Sequence, residues 1–429
     1  MTTPSSDDTT AFARARHAAV WFTFVLILIV APLIFSDGAS LSILCQMGTA
    51  IIFALSYNML LGQGGMLSFG HAVYSGLGAY ITAHAINIAT ANAFSIPLPL
   101  FPLVGGLAGV GFGILFGYVT TKKSGVPFAM ITLGIVELVF AGSLMLPGFF
   151  GGEGGISINR VFGGPLLGIT YGPQIEVYYL IAAWLLLSTI GMYAFTRTPL
   201  GYIVNAVRDN PERAEFIGYN ARMVRYLVLI ISTFFAGVSG GLTAITFEIV
   251  TSENVSAARS GAVLLFTFIG GIGHFFGPII GAIVGVLMTG VLSDFSKAWL
   301  LYLGIFFITM VLFAPGGISG IAMLNVELMK SRRLGRVWLP LIPLLAGGAL
   351  VLAGFVAAIE MLYERSFGSG GTETSLAGFI FDFTSVSSWL IVAAFLASGG
   401  SLFAARLKPF AAVWDQVSAE MKNDRSGTT

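Results

Sequence analysis

Apolar runs long enough to cross a lipid bilayer recur along almost the whole chain, and no other feature constrains its fold as tightly. They fall at residues 20–35, 41–61, 66–88, 98–120, 126–146, 177–196, 226–249, 260–272, 278–292, 299–313, 337–359 and 386–405. A bilayer's hydrocarbon core is about 30 Å thick, the length of a helix of about 20 residues. In that solvent a backbone N–H or C=O finds no water, so each run is expected to satisfy its own backbone as a helix. Charged residues make up 10% of the 429 positions, and mean hydropathy is +0.89. A soluble domain needs about 25% charged residues to face water. The expected fold is all-α, a polytopic transmembrane helical bundle of about 10–12 spans, some of them broken by glycine.

Basic residues orient such a bundle, because loops rich in Lys and Arg stay in the cytoplasm. Arg14, Arg16 and His17 precede the first run, which reads as a signal anchor that is not removed. With the N-terminus inside, counting crossings places Lys122 and Lys123 inside, and then the loop with Arg197, Arg208, Arg213, Arg222 and Arg225. The runs 260–272 and 278–292 are short and could be two tilted crossings or one broken helix. Two crossings keep Lys330, Arg332, Arg333, Arg336, Arg406 and Lys408 inside, so that reading is preferred, with both termini cytoplasmic. The expected organisation is a cytoplasmic segment at 1–19 and a transmembrane core at 20–322 with a cytoplasmic loop at 197–225. A basic linker at 323–336, a further pair of spans within 337–405 and a cytoplasmic tail at 406–429 follow. Residues 360–385, rich in Gly, Ser and Thr, are expected as an external loop, and the tail after Trp414 as a polar, mobile end.

Several function classes are excluded. A net charge of +1 offers no field for nucleic acid. The single cysteine, Cys45, rules out an internal disulfide framework and a cysteine zinc site. Four histidines, at 17, 71, 84 and 274, lack metal-ligand spacing, and no G-x-x-x-x-G-K-[ST] phosphate loop is present. No nucleophile–base arrangement is legible, so neither an enzyme site nor a cofactor or metal is expected.

Polar groups inside apolar runs are the candidates for a solute pathway. In residues 62–72 glycines permit unwound backbone, which a membrane tolerates only where protein or a watery cavity covers it. Ser68 and His71 lie there, and an intramembrane histidine needs a partner. Close helix packing is the competing use of those glycines. Glu137 stands mid-run, where a carboxylate costs about 2.5–3.5 kcal/mol on insertion scales. It is a candidate for meeting the ammonium of a permeating zwitterion, or else a buried helix-to-helix hydrogen bond. Glu248 lies near a run end and reads as interfacial. Gly151, Gly152, Glu153 and Gly154 follow Glu137's run on the external side. Their amides could meet a carboxylate, or form a plain connector.

The segment 197–225 is charged yet helix-like. Ile203 and Val207 are one turn apart, Asn210 is a good N-cap with Pro211 at the first helical position, and Glu212 favours the helix N-terminus. Gly218 can end the helix in the left-handed conformation. Two short helices at the membrane surface are expected, resting on lipid headgroups or docking a cytoplasmic protein. Mixed charges and Phe216 suit a protein groove better than a lipid surface.

At this point the residues resemble a known family. Pro199-Leu200-Gly201-Tyr202-Ile203-Val204-Asn205-Ala206-Val207-Arg208-Asp209-Asn210, followed by Glu212, Ala214, Gly218 and Asn220, is similar to the coupling loop of high-affinity branched-chain amino-acid ABC permeases. Leu61 to Ala72 (LGQGGMLSFGHA), Gly270 to Ala282 (GGIGHFFGPIIGA) and Phe313 to Ile318 (FAPGGI) resemble three further motifs of that family in order, and Gly148 to Gly155 resembles its external glycine-rich loop. The resemblance covers roughly residues 41–320, and 337–405 is an addition beyond the family core. It implies a permease of the cytoplasmic (inner) membrane, embedded in membrane lipid and paired with a homologous second permease. It further implies two cytoplasmic ABC ATPase subunits and an extracytoplasmic solute-binding protein. Gly201, Val207, Arg208, Asn210, Glu212, Ala214, Glu215, Phe216 and Gly218 would then couple the ATPases to the spans. Implied substrates are branched-chain or related small amino acids, with urea, short amides and small organic acids as alternatives. A stand-alone secondary transporter would need ion-coupling carboxylates, of which Glu137 is the one deep in a span, and a scaffold would not need broken helices.

Overall fold

A computed structural model of the chain describes residues 6–92, 96–161, 169–296, 298–331, 333–367, 373–376, 379–382 and 385–426. Apolar composition becomes helix almost throughout. α1 (Ser6–Ile34) starts well before the first apolar run; Arg14, Arg16 and His17 fall on it, with side chains outside the described residues. α2 (Gly38–Asn58) is capped by Asp37, whose carboxylate accepts from the Ser40 amide at 3.1 Å; that bond holds the carboxyl below its ordinary pKa. α2 continues into a π-helical turn, Met59–Gln63. Next come α3 (His71–Ala91), α4 (Phe101–Thr120), α5 (Val126–Met145), the single turn α6 (Pro147–Phe150) and α7 (Gln174–Thr196). The short helices α8 (Pro199–Asp209) and α9 (Pro211–Phe216) lead into α10 (Ala221–Phe247). After α10 come α11 (Ala257–Gly270), α12 (Gly277–Val286), α13 (Leu292–Phe295), α14 (Trp299–Phe313), α15 (Gly317–Lys330), α16 (Leu334–Phe367) and α17 (Val386–Ser426). Two short antiparallel pairs complete the fold, β1 (Ile156–Ser157) with β2 (Ile249–Val250) and β3 (Glu373–Leu376) with β4 (Phe379–Asp382).

Among the described residues seven helices are long and apolar enough to cross a membrane, or eight if the pair α14–α15, bent by 45°, is counted as one broken span. The expected runs at 20–35, 66–88, 260–272 and 278–292 fall short of that measure for physical reasons. The apolar part of α1, Ala18–Ile34, and helices α11 and Gly277–Val291 are short. α3 is 21 residues long, but its buried face carries His71, Ser75 and Thr82; protein on nearly all sides lets it hold polar groups that lipid would not. The 14 residues of α11 rise about 21 Å, less than the bilayer core. α11 and α12 form a hairpin of two short helices. Gly270 and Gly281 allow it: a Cβ on Gly281 would strike the Phe266 carbonyl, and one on Gly270 the Gly277 carbonyl. A hairpin returns the chain to the side it left, as two crossings do, so the charge count that oriented the later segments is unaffected.

The chain divides into two units. The first comprises Met1–Gly290 and Phe307–Ser319. Its core is α3, α4 and α10, whose backbones approach through Gly78, Gly105, Gly109, Gly237 and Gly240, where an added Cβ would meet backbone atoms of the neighbouring helix. Small residues at the seam are how membrane helices gain packing energy without a hydrophobic drive.

The second unit comprises Val291–Phe306 and Gly320–Thr429. α16 and α17 pack along Gly347 and Gly399, where an added Cβ would come 2.8 Å from the Phe403 amide and 2.7 Å from that of Val351. Two expectations are corrected here. Residues 360–385 do not begin as a loop: α16 runs to Phe367, and Glu360 is held by the hydroxyls of Tyr302, at 2.7 Å, and Ser296 before the β3–β4 pair. Nor is the tail after Trp414 a free end. α17 continues to Ser426 because Phe410, Val413, Trp414, Val417 and Met421 form a stripe at helical spacing, with Val417 buried among Leu328 and Val337. Glu420 accepts from both Arg333 and Arg336 at 3.2 Å. Arg332 lies outside the described residues.

Candidate functional site

Residues 64–70, between the π turn and α3, run largely buried without regular structure, and several of their polar groups find partners in the protein. The amides of Gly65 and Met66 donate to the carbonyls of Leu61 and Leu60 at 2.9 and 3.0 Å. The Phe69 amide donates to Thr132 Oγ1 at 3.1 Å, and Tyr57 OH donates to the Ser68 carbonyl at 2.8 Å. Ser260 Oγ accepts from the Ala72 amide at 3.0 Å, across 188 residues of sequence. Ser68 is fully buried and its hydroxyl accepts from the Gly70 amide. Unwound backbone is thus covered by protein, the condition on which a membrane tolerates it.

His71 opens α3 and is fully buried. Its ring stacks on Phe53, with centroids 5.5 Å apart and 12° between planes, and meets the edges of Tyr57 and Tyr74. Ser56 Oγ donates to the Phe53 carbonyl at 2.7 Å, so its single proton is committed and it accepts from His71 Nε2 at 3.0 Å. Nδ1 then carries the free lone pair and has no partner. The structure brings Ser68 and His71 together as the frame of the broken segment, packed in the interior.

Glu137 is placed apart from them. α5 buries Phe128, Ala129, Thr132, Val136 and Ser143 on one face. Glu137 lies on the other with Met130 and Leu138, both largely exposed, and no hydrogen bond or ion pair among the described residues reaches its carboxylate. The alternative of a buried hydrogen bond within this chain is not what the structure shows.

The glycine-rich loop is a built turn. Gly151, Gly152 and Gly155 take positive φ of 75°, 64° and 68°, and a Cβ on Gly155 would strike the Val250 carbonyl. Only glycine holds such a conformation without strain, and it lets β1 pair with β2. The loop is fastened to α3 by Asn87, which donates to the Ser157 carbonyl at 3.1 Å, and by His84 Nε2, 2.8 Å from the Phe149 carbonyl. Glu153 and Gly154 face outward. No sequence pattern singles out Arg160, which organises the next turn. Its amide donates to Glu248 Oε1 at 3.1 Å, and its guanidinium donates to the Gly172 carbonyl and Gln174 Oε1 at 3.1 and 3.2 Å. Glu248 itself caps α10 in the left-handed conformation, at φ 56°. The two lie 88 residues apart, and only a charge at the end of an apolar run hinted at the pair.

The α8–α9 segment forms as its caps require. Thr198 Oγ1 accepts from the Gly201 amide at 3.2 Å, Asn210 Oδ1 from Arg213 at 2.9 Å and Asn220 Oδ1 from Met223 at 3.0 Å. Gly218, at φ 95°, turns the chain out of α9. Gly201, Val204, Val207 and Ala214 form the buried face. Glu212, Arg213, Glu215 and Ile217 are exposed, and Phe216 is 90% exposed. Arg208 links this segment to the broken helix. Its guanidinium donates to the Gly62 carbonyl and to Asp209, and its methylenes lie on Gly65, where a Cβ would come 2.7 Å from Arg208 Cγ. Gly65 takes positive φ of 63°, so glycine is required there twice over.

Comparison with known proteins agrees with this geometry. The family model described as "Branched-chain amino acid transport system / permease component" matches residues 39–315. The chain is 28% identical over 289 residues to the high-affinity branched-chain amino acid transport system permease protein LivM of Escherichia coli, covering 62% of this chain and 67% of that protein. It is 24% identical to the probable branched-chain amino acid transport permease protein LivH of Methanocaldococcus jannaschii, over 63% of this chain and 88% of that one. The galactose/methyl galactoside import permease protein MglC of Salmonella typhimurium is 25% identical over 61% of this chain and 82% of its own. No solved structure matches. With several membrane-length helices, a glycine-broken interior and a family match over most of its length, the chain belongs to the branched-chain amino acid transport system permease family, and is a multi-pass permease component of the ABC importer type.

Proposed function

We propose that this protein forms one half of the membrane pathway of an importer for branched-chain or related small amino acids. A homologous permease would form the other half, two ATP-hydrolysing subunits would dock on α8–α9, and a solute-binding protein would deliver solute from outside. The complex would sit in the cytoplasmic membrane, with both termini of this chain in the cytoplasm. The observation that carries this reading is the α8–α9 segment. It is capped at both starts, seated by a small buried face, and tied through Arg208 to the break before α3, while Phe216 projects among Glu212, Arg213 and Glu215. An exposed aromatic inside a mixed-charge rim suits a protein groove, and a seated helix passes on a rigid-body push. Glu137 supports the pairing. A mid-span carboxylate on a face that this chain leaves open calls for a second subunit or an aqueous path. Substrate class rests on the two relatives named for branched-chain amino acids. MglC is named for galactose, and urea, short amides and small organic acids remain alternatives for the same permease type. A secondary transporter would have no use for the seated α8–α9 segment.

The test is transport-coupled ATP hydrolysis by the reconstituted complex, wild type against the double variant Glu215→Arg, Phe216→Asp. Loss of coupling with the permease pair still assembled is the expected result. Unchanged coupling would overturn the docking assignment, and uptake by this chain alone on an ion gradient would overturn the importer reading. A panel of L-leucine, L-valine, galactose and urea assigns the substrate class.

A further inference from the structure

Beside α8 the first unit contains a polar cavity of about 350 Å³, within the roughly 300–1,000 Å³ range of small-molecule sites. It lies between the π turn that ends α2, the end of α7, α8 and the α11–α12 connection, away from the open face of α5 that bears Glu137. Two amide oxygens in its wall, Asn58 Oδ1 and Gln63 Oε1, are buried and have no hydrogen-bond donor. Asn58 is 3% exposed. An orphaned buried acceptor costs about 1–3 kcal/mol, and two in one cavity mark a place built for a donor. π turns within α-helices often mark functional sites. The cavity also holds the donors for an anion. Arg197 stands at the rim with its guanidinium fixed on Tyr193, donating to the hydroxyl at 2.7 Å and lying 5.2 Å from the ring centroid. Arg208, at the same wall, already serves Gly62 and Asp209. Tyr193 and Phe275 add an apolar surface.

Acceptors without donors, an oriented guanidinium and aromatic rings in the wall of one cavity match one ligand chemistry. An ammonium would donate to Asn58 and Gln63, a carboxylate would accept from Arg197, and an apolar side chain would rest on the rings. We propose that this cavity binds an α-amino acid of the class the importer carries, on the side of the bundle where α8 lies, and that its occupation slows transport. The bound zwitterion would bridge the end of α7, where Arg197 leads into α8, and the π turn that ends α2, beside the Arg208 link, and so resist their relative motion. The proposal rests on the functional reading above for its ligand class and for the side of the membrane.

The complete importer in proteoliposomes, with ATP and the α8 side in the lumen, tests it. Uptake of L-leucine into empty vesicles is measured first, and then the initial rate of ATP hydrolysis with L-leucine preloaded in the lumen. Preloading is expected to slow the wild type about fivefold or more, the scale of ordinary coupling between sites. Arg197→Gln, at the exposed rim, and Gln63→Leu, in the wall, are expected to keep the empty-vesicle rate and lose the slowing. If leucine is imported but preloading has no effect, or if both variants are slowed as the wild type is, the cavity assignment falls and the functional reading stands. If no amino acid is imported, the functional reading falls and takes the ligand class proposed for the cavity with it.

Discussion

His71 and Glu137 are both titratable side chains in apolar runs, and they are accommodated in opposite ways. His71 is wrapped by Phe53, Tyr57 and Tyr74 and gives its Nε2 proton to Ser56. Ser56→Ala would leave that N–H buried without an acceptor, so a loss of about 1–3 kcal/mol is expected, read as a lowered unfolding temperature in detergent. Among the described residues Glu137 has no such shell. Glu137→Leu is expected to leave the permease pair assembled and to cut solute uptake by about tenfold, a loss of about 1.4 kcal/mol in the transport step. Uptake at the wild-type rate would mean that the carboxylate merely faces lipid or a structural neighbour. Both residues were visible in the sequence because any polar group stands out in an apolar run. The bonds that hold the break before α3 and the turn at Arg160 were not, because Ser260, Thr132 and Glu248 reach their partners across 188, 63 and 88 positions. Such pairings leave no local periodicity.

Elements held by local chemistry behaved differently. α8 and α9 begin where Thr198-Pro199 and Asn210-Pro211 place an N-cap before a first-turn proline, and α9 ends before Gly218. Asn210→Ala is expected to destabilise α9 by about 1 kcal/mol. Because α9 is exposed, that loss should appear as faster amide exchange and weaker ATPase coupling, with the unfolding temperature of the bundle unchanged. The α11–α12 hairpin had no comparable signature. Hydropathy reports that a segment is apolar, and two short apolar helices score alike whether each crosses lipid or both fold back inside protein. Gly155, at positive φ against the Val250 carbonyl, tests the other built turn. Gly155→Ala is expected to unpair β1 from β2 and release Arg160 from Glu248, measured as increased protease sensitivity between α6 and α7.

At the scale of the whole molecule the positive charges carry the orientation proposed for this protein. A fluorescent protein fused after Thr429 is expected to fluoresce, and alkaline phosphatase inserted after Thr372 to be active, because they would lie on the cytoplasmic and external sides. The reverse pattern would invert the orientation proposed for α8–α9. The second unit extends past residue 315, where the family match ends. Its α17 is fastened to the start of α16 by Val417 and by Glu420 with Arg333 and Arg336.

The membrane as solvent, the predominance of helix, the family resemblance and the capped α8–α9 segment are all legible in the sequence. Each depends on groups within a few residues of one another, or on the length of an apolar run measured against a bilayer. Long-range packing set which face of α5 shows Glu137, that Ser68 and His71 are sealed inside, that residues 260–292 fold back on themselves, and that Arg208 ties α8 to the break before α3. Those outcomes depend on side chains meeting across the bundle, where close packing leaves room for one arrangement, and a single chain read in order does not carry that geometry.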